Sequence, residues 1–207
     1  TTLFRSRTGI QYLLSLLIFS VSLAGCKKFL DTKPTDNAAP NFYYSNEAEL
    51  NSALIGVYDP LSSATLYGNN VFTFLDACTD ESFFARSSGA NTIGVQTYTH
   101  NFSDPTISGF WGELYQGIER ANLLIANINK PDMDETKRKE ILGQVLFLRG
   151  YYHFELVKNF GDIPLKLTPT SSVTEVNFPR TPAKDVYAQI IKDMSEAEAG
   201  SRSEERR

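Results

Sequence analysis

The chain carries four stretches in which apolar residues recur every three or four positions. This spacing places the apolar side chains on one face of an α-helix, so each stretch predicts an amphipathic helix. The positions are Ala48, Leu50, Leu54 and Val57; then Trp111, Leu114, Ile118, Ala121, Ile125 and Ile128; then Ile141, Val145, Leu148, Tyr152, Leu156 and Phe160; and finally Val186, Ile190, Ile191 and Met194. Strand-like alternation is scarce, so the pattern predicts an all-α protein.

Capping residues mark where these helices begin. Asn46 with Glu49 resembles a capping box, and Ser45 is the alternative cap. Asp134 precedes the third helix, and Thr181–Pro182 fits an N-cap followed by proline at the first helical position. Pro60 allows a kink or a break in the first helix.

The third stretch is apolar around most of the helix. Phe147, Tyr151 and Phe154 widen its stripe, which predicts a central, buried helix whose aromatic residues pack in the core. An aromatic binding platform is the alternative reading of the same residues. Gly161 suits the position after the helix end, and Pro164 prevents the helix from continuing.

Helices joined by short turns favour stacked helical hairpins, as in a solenoid. Trp111 and Leu114 keep the W-x-x-L spacing of tetratricopeptide (TPR) repeats, whereas Tyr115 and Ile118 replace the glycine and tyrosine of that pattern. Arg149 lies within the central helix and needs a partner if buried, because an unpaired buried charge is strongly destabilising. We expect an ion pair with Glu119 or Asp76.

Composition narrows the function classes. The 207 residues and 42% apolar content fit one globular domain, and the formal net charge of −4 is unlike a basic nucleic-acid footprint. His100 and His153 lie on different elements without metal or triad spacing, and Asp80 and Glu81 are adjacent, so their side chains diverge. We therefore predict no catalytic residue, no metal site and no cofactor.

The N-terminus resembles an export signal. Arg5 and Arg7 precede an apolar run too short to span a membrane comfortably, and Leu23-Ala24-Gly25-Cys26 matches a bacterial lipoprotein box. The resemblance implies cleavage before Cys26 and its acylation, which would anchor the protein to a membrane. A plain signal peptide followed by an accidental cysteine is the alternative. If Cys26 is lipidated, Cys78 is the remaining thiol, and it is interpreted as a small buried hydrophobe.

Six segments together resemble the SusD/RagB-like outer-membrane lipoproteins of Bacteroidetes, in family order across residues 23–198. They are CKKFLDTKPTD, AELNSALIGVYDPL, DACTDE, FWGELYQGIERANLLIANI, GQVLFLRGYYHFELVKNFGDIPL and RTPAKDVYAQIIKDM. The resemblance implies a TPR-like helical scaffold that is not an enzyme. Such proteins bind glycans or other nutrients and cap a SusC-type TonB-dependent transporter at the cell outer membrane. A TPR-like lipoprotein acting only in protein assembly is the alternative.

The resemblance also divides the chain. Residues 1–25 are expected to be the signal peptide, 26–41 the lipidated tether, and 42–199 the incomplete N-terminal helical domain. Residues 200–207 are expected to be a truncated or non-native tail, since the apolar periodicity stops there. Lys27 and Lys28 follow the cysteine where family members exported to the surface carry acids, so a surface-facing and a periplasmic location both stay open.

A polar loop between Asp80 and Asp104 is the preferred ligand site. Long loops in compact domains are often functional, and amides, carboxylates and an arginine can hydrogen-bond sugar hydroxyls while aromatic rings stack on sugar faces. A solvated or transporter-facing loop is the alternative. The candidate residues are Asp80, Glu81, Arg86, Asn91, Tyr98, Asn101 and Phe102. Trp111, Arg149, Tyr152, Gly161 and Pro164 are predicted to be structural.

Overall fold

A computed structural model describes residues 11–12, 43–72, 79–81, 98–101, 103–172 and 177–201. Four helices lie in one compact unit, Tyr44–Arg207. They are α1 (Glu47–Ser62), α2 (Pro105–Asn127), α3 (Glu135–Phe160) and α4 (Ala183–Ser201). The described residues form no strand, and the prediction of an all-α fold is confirmed.

Short polar side chains begin the first three helices. Asn46 accepts the amide of Glu49 at 3.0 Å, while the Glu49 carboxylate accepts the amide of Ser45 at 2.7 Å, which confirms the predicted cap. Asp104 caps α2 by accepting the amide of Thr106 at 2.8 Å. The predicted cap of α3 is also confirmed, because Asp134 accepts the amides of Thr136 and Lys137.

The first helix continues through Pro60 and ends at Ser62, so the break that the sequence allowed does not occur. Proline lacks the amide that would donate to the carbonyl four residues earlier, which is that of Gly56. The guanidinium of Arg120 on α2 takes that place, donating to the Gly56 carbonyl and to the Asp59 carboxylate, both at 2.7 Å. A side chain of the neighbouring helix therefore replaces the missing backbone donor.

Helix α3 is central, because it contacts each of the other three helices. The ring of Tyr152 is fully buried against α2, where a Cβ at Gly117 would lie 2.5 Å from the ring. The close approach of α2 and α3 thus requires glycine at position 117. The Tyr152 hydroxyl donates to the Val57 carbonyl of α1 at 2.5 Å, so this one side chain joins three helices.

Only part of the predicted aromatic stripe of α3 is in the core. Phe147 is 49% exposed, Phe154 is 36% exposed and Tyr151 is half-buried, so the prediction that these rings pack in the core is wrong for the two phenylalanines. Residues 144, 147, 151, 154 and 158 follow the helical repeat on the side away from the buried positions. We call these five positions the outer stripe of α3.

The end of α3 positions the start of α4. Gly161 has φ +69°, a conformation that suits glycine, and its amide closes the helix on the Val157 carbonyl, as predicted. Ile163 and Thr181 then pair through two backbone hydrogen bonds. The expected cap by Thr181 is corrected: Asp162 accepts the amide of Ala183 at 2.8 Å, across the connecting loop.

Two further expectations hold only in part. The second helix begins at Pro105, and Phe110 is the buried residue of its first turns. Trp111 is half-buried, but it packs against the core and contacts the rings of Tyr115 and Phe160, in keeping with its predicted structural role. Ile191 of α4 is 65% exposed, so it is not part of the buried face of that helix. Pro164 has a structural contact, since its carbonyl accepts the Tyr115 hydroxyl at 2.7 Å.

Candidate functional site

Four of the predicted ligand residues lie in the described parts of the polar loop, and all four are exposed. Asp80 and Glu81 belong to one short stretch, and Tyr98 and Asn101 to another, directly before α2. Tyr98 is 71% exposed and has φ +57°, and the Asn101 side chain accepts the amide of Ser103 at 2.8 Å. Arg86, Asn91 and Phe102 lie outside the described residues, so a site in this loop stays a prediction.

Arg149 forms the predicted buried ion pair, but with a different acid. Its guanidinium donates twice to the carboxylate of Asp193 on α4, both at 2.8 Å, and once to Asn122 on α2 at 3.1 Å. Glu119, one of the two expected partners, instead accepts from Lys166 and Thr170. Asp76, the other, lies outside the described residues. This cluster joins three helices and has no surface on which to hold a ligand.

His153 is a buried neighbour of this cluster. Its Nδ1 lies 3.0 Å from the Arg149 carbonyl, whereas Nε2 has no hydrogen-bond partner among the described residues. Burial is the main cause that lowers its pKa from 6.5 to about 4, with a smaller opposing contribution from the Arg149 carbonyl. His153 is therefore neutral at pH 7 and fits a structural role.

The structure contains a groove that sequence analysis did not predict, between α1, α3 and the last turns of α4. Its volume is about 490 Å³, which lies within the range of small-molecule sites. The groove is lined by Tyr58, Gly143, Gln144, Phe147, Met194, Ala197 and Glu198. The Tyr58 hydroxyl donates to the Gln144 side chain at 3.1 Å, which fixes both side chains at the groove wall.

Aromatic rings continue from this groove along the surface. Phe147 and Tyr151 are parallel within 11°, with centroids 6.5 Å apart. Tyr151 then contacts Tyr67 through its ring and its hydroxyl, and Tyr67 contacts Phe72, which is exposed. Burial raises the pKa of Tyr151, and the hydrogen bond with Tyr67 raises it further, so the Tyr151 hydroxyl is uncharged at neutral pH.

The described residues hold no group of three or more side chains able to bind a metal ion. Within the same residues, every helix is too short or too polar to cross a lipid bilayer.

A family model described as "Starch-binding associating with outer membrane" matches residues 28–200. The chain belongs to the SusD-like family. The match covers the four helices up to the last turn of α4 and the connecting segments, including the polar loop, and so confirms the resemblance inferred from the order of the sequence segments.

Individual SusD-like relatives agree with this assignment. Two proteins of Formosa agariphila, SusD-like protein P2 and SusD-like protein P25, are 28% and 24% identical over 90% and 91% of the chain. The chain spans 37% of the length of each of these curated relatives. Among solved structures, a laminarin-binding SusD-like protein is 33% identical, with a TM-score of 0.63 over 76% of this chain and 34% of its own.

A SusD superfamily protein of Bacteroides vulgatus shares the fold, with a TM-score of 0.68 at 23% identity over 76% of this chain and 35% of its own. The architecture of this SusD-like chain is thus shared with relatives whose sequences have diverged widely. The ligand of any one relative does not follow from the fold alone.

A sequence signal for the groove of this SusD-like chain does exist. Gln144, Phe147 and Tyr151 fall between the buried positions of α3 at spacings of three and four, which is the pattern of the opposite helix face. The many apolar residues of α3 obscure that pattern, because they surround most of the helix and merge its two faces into one wide stripe. Tyr58 and Glu198 carry no such signal, since only the packing of α1 and α4 brings them to the groove.

Proposed function

We propose that this chain is part of an outer-membrane lipoprotein that binds a neutral glycan and delivers it to a SusC-type TonB-dependent transporter. Membership of the SusD-like family supports the glycan-binding role, and the 33%-identical laminarin-binding relative carries the choice of ligand class. The mildly acidic net charge of −4 is compatible with a neutral ligand and disfavours an acidic one. The transporter partnership and the delivery step are proposals drawn from the family resemblance.

The polar loop before α2 is the proposed ligand site within this function. Tyr98 offers an exposed aromatic ring, and Asp80, Glu81 and Asn101 offer oxygen and nitrogen atoms at the surface. Together with Arg86, Asn91 and Phe102, this set could stack on a sugar face and hydrogen-bond its hydroxyls. The proposed action is binding and transfer without bond cleavage, and no residue receives a catalytic role.

Attachment to the membrane is proposed to occur through acylated Cys26. Several acyl chains on one residue hold a protein stably at a bilayer, because each buried methylene contributes ~0.8 kcal/mol. The tether of residues 27–41 would then separate the helical domain from the lipid. Exposure at the cell surface is proposed from the nutrient-binding role.

Affinity electrophoresis in gels containing laminarin tests the proposed function. We expect the full chain to be retarded by laminarin, and the Tyr98→Ala variant to bind about five- to tenfold more weakly because a stacking ring is lost. Tyr187→Ala is the matched control, since Tyr187 is also an exposed tyrosine but lies on α4, away from the loop. Its retardation should equal that of the unchanged chain.

A panel of other polysaccharides extends the test. If the chain is retarded by none of them yet co-purifies with a TonB-dependent transporter, the glycan-binding function is wrong and the assembly role replaces it. Retention that is unchanged in Tyr98→Ala would contradict the loop as the ligand site while leaving the glycan-binding function in place.

A further inference from the structure

The outer stripe of α3 exposes aromatic surface that the helix does not need for its own packing. Of its five positions, Phe147 and Phe154 are exposed and Tyr151 is half-buried, whereas the ring of Tyr152 on the same helix is fully buried in the core. Contiguous exposed apolar surface in a soluble domain marks a binding site more often than scattered single residues do. Two positions of the stripe, Gln144 and Phe147, line the groove, so the exposed surface of the stripe is concave there.

The groove combines three kinds of chemical group. Phe147 supplies a half-exposed ring, and the Tyr151 ring next to it lies within 11° of parallel, with centroids 6.5 Å apart. Gln144 supplies an amide whose oxygen accepts a hydrogen bond from the Tyr58 hydroxyl. That bond fixes the orientation of the amide and therefore of its NH₂ group. Glu198 adds a carboxylate-bearing residue to the lining, and Met194 adds an apolar one.

These groups match the surface of a sugar ring. One face of a hexose presents C–H groups that pack on an aromatic ring, and its edge presents hydroxyls that need donors and acceptors such as an amide, a phenol and a carboxylate. We propose that the groove formed by Tyr58, Gln144, Phe147, Met194 and Glu198 is a second glycan-binding site, separate from the polar loop, that holds one or two units of a neutral hexose chain. The volume of about 490 Å³ is large enough for such a segment.

The site is preorganised, which favours binding of a weakly interacting ligand such as a sugar. The Tyr58–Gln144 hydrogen bond joins α1 to α3 at the groove wall, and the Arg149–Asp193 ion pair, which lies outside the groove, holds α4 against α3. Contacts between helices therefore fix the three walls. The inference rests on the proposed function, because the ligand class is taken from it. It goes further by placing a second point of contact on the helical scaffold.

The two methionines of the chain, Met133 and Met194, allow a direct test. Met194 lines the groove, whereas Met133 precedes α3 and packs against the core elsewhere. In the full chain labelled with ¹³C at the methionine methyl groups, titration with laminarihexaose should shift the Met194 signal in a saturable way. The Met133 signal is the internal control and should not move.

Variants of α3 identify the groove residues that bind the sugar. Phe147→Ala should raise the dissociation constant obtained from the Met194 shift by about tenfold, because the stacking ring is removed. Phe154→Ala is the matched control: it removes an exposed phenylalanine of the same stripe that contacts Tyr187 and Lys158 outside the groove, and it should leave the titration unchanged.

The outcomes separate this inference from the proposed function. If the chain binds laminarin in gels but the Met194 signal does not move, the second site is wrong and the proposed function stands. Equal shifts of Met133 and Met194, or an equal effect of both phenylalanine variants, would also overturn the second site. If the chain binds no glycan in either measurement, both proposals fail.

Discussion

Two adjacent tyrosines of α3 have opposite surroundings although they share a residue type. Tyr152 is fully buried, and its hydroxyl donates to the Val57 carbonyl, while Tyr151 is half-buried and contacts the hydroxyl of Tyr67 at the surface. A rotation of about 100° per residue along the helix is enough to place neighbours on different faces. The role of each aromatic residue is therefore set by its position around the helix rather than by its type.

The buried ion pair of Arg149 with Asp193 makes a prediction about stability. Arg149→Ala should lower the free energy of unfolding by about 3–5 kcal/mol, because the Asp193 carboxylate would remain buried without its charged partner. Urea unfolding followed by far-ultraviolet circular dichroism measures the change.

Lys137→Ala provides the matched control for Arg149. Lys137 also pairs with an acid on another helix, Glu47 at 2.9 Å, but both side chains are exposed to solvent. Its loss should lower the free energy of unfolding by no more than about 1 kcal/mol. If Arg149→Ala and Lys137→Ala lower the free energy of unfolding by similar amounts, the buried pair does not contribute more to stability than the exposed one.

The neutral state of His153 makes a prediction about pH. Its pKa in the folded protein is about 4, below the ordinary value of 6.5, so the unfolded chain binds a proton more readily between these values. The contribution of neutral His153 to the free energy of unfolding is fully present above pH 6.5. It is lost as the pH falls towards 4, and the total loss is about 3 kcal/mol. Arg149 and Asp193 are the charged groups that influence it.

Urea unfolding at pH 7 and pH 4.5 tests the contribution of His153. His153→Gln should reduce the difference in unfolding free energy between the two pH values. His100→Gln, which changes the other histidine of the chain at an exposed position, should preserve the difference. An unchanged difference in His153→Gln would show that another group causes the pH dependence.

At the scale of elements, α1 depends on α2 for a hydrogen bond that its own sequence removes. Pro60 leaves the Gly56 carbonyl without a helical donor, and Arg120 supplies one at 2.7 Å. We therefore expect Arg120→Ala to lower the free energy of unfolding by about 1–3 kcal/mol, the cost of an unsatisfied half-buried carbonyl.

A double-mutant cycle isolates this dependence. In a Pro60→Ala background the residue at position 60 regains an amide that can donate to Gly56, so Arg120→Ala should cost at least about 1 kcal/mol less than in the natural sequence. Asp59→Ala controls for the exposed ion pair of Arg120 and should cost no more than about 1 kcal/mol in either background. If the effects of Pro60→Ala and Arg120→Ala on the free energy of unfolding are additive, Arg120 does not replace the amide missing at Pro60.

At the scale of the whole molecule, attachment to a membrane rests on one cysteine. Expressed in a Bacteroidetes host, the Cys26→Ser variant should lose incorporation of labelled palmitate and leave the membrane fraction, because the thiol that is acylated is absent. Cys78→Ser, which changes the other cysteine of the chain, should keep both properties. Labelling of Cys26→Ser, or its loss in Cys78→Ser, would contradict the lipoprotein prediction.

The sequence predicted the helices more successfully than it predicted the surface. Asn46 and Asp134 act as caps where expected because capping is a local interaction within a few residues. The partner of Arg149 was predicted incorrectly because Asp193 lies 44 positions away and reaches Arg149 only through the packing of α4. The groove was missed for the same reason, since its walls come from three helices.

The sequence by itself determined that the chain is helical, where α3 ends, and to which family the chain belongs. These properties depend on periodicity, on capping residues and on the order of short segments, all of which are properties of neighbouring residues. Only the tertiary structure decided which aromatic rings are buried, which acid pairs with Arg149 and which donor replaces the amide missing at Pro60. Each of these depends on contacts between helices, and a periodic pattern shows that a helix has an apolar face without showing what lies against it.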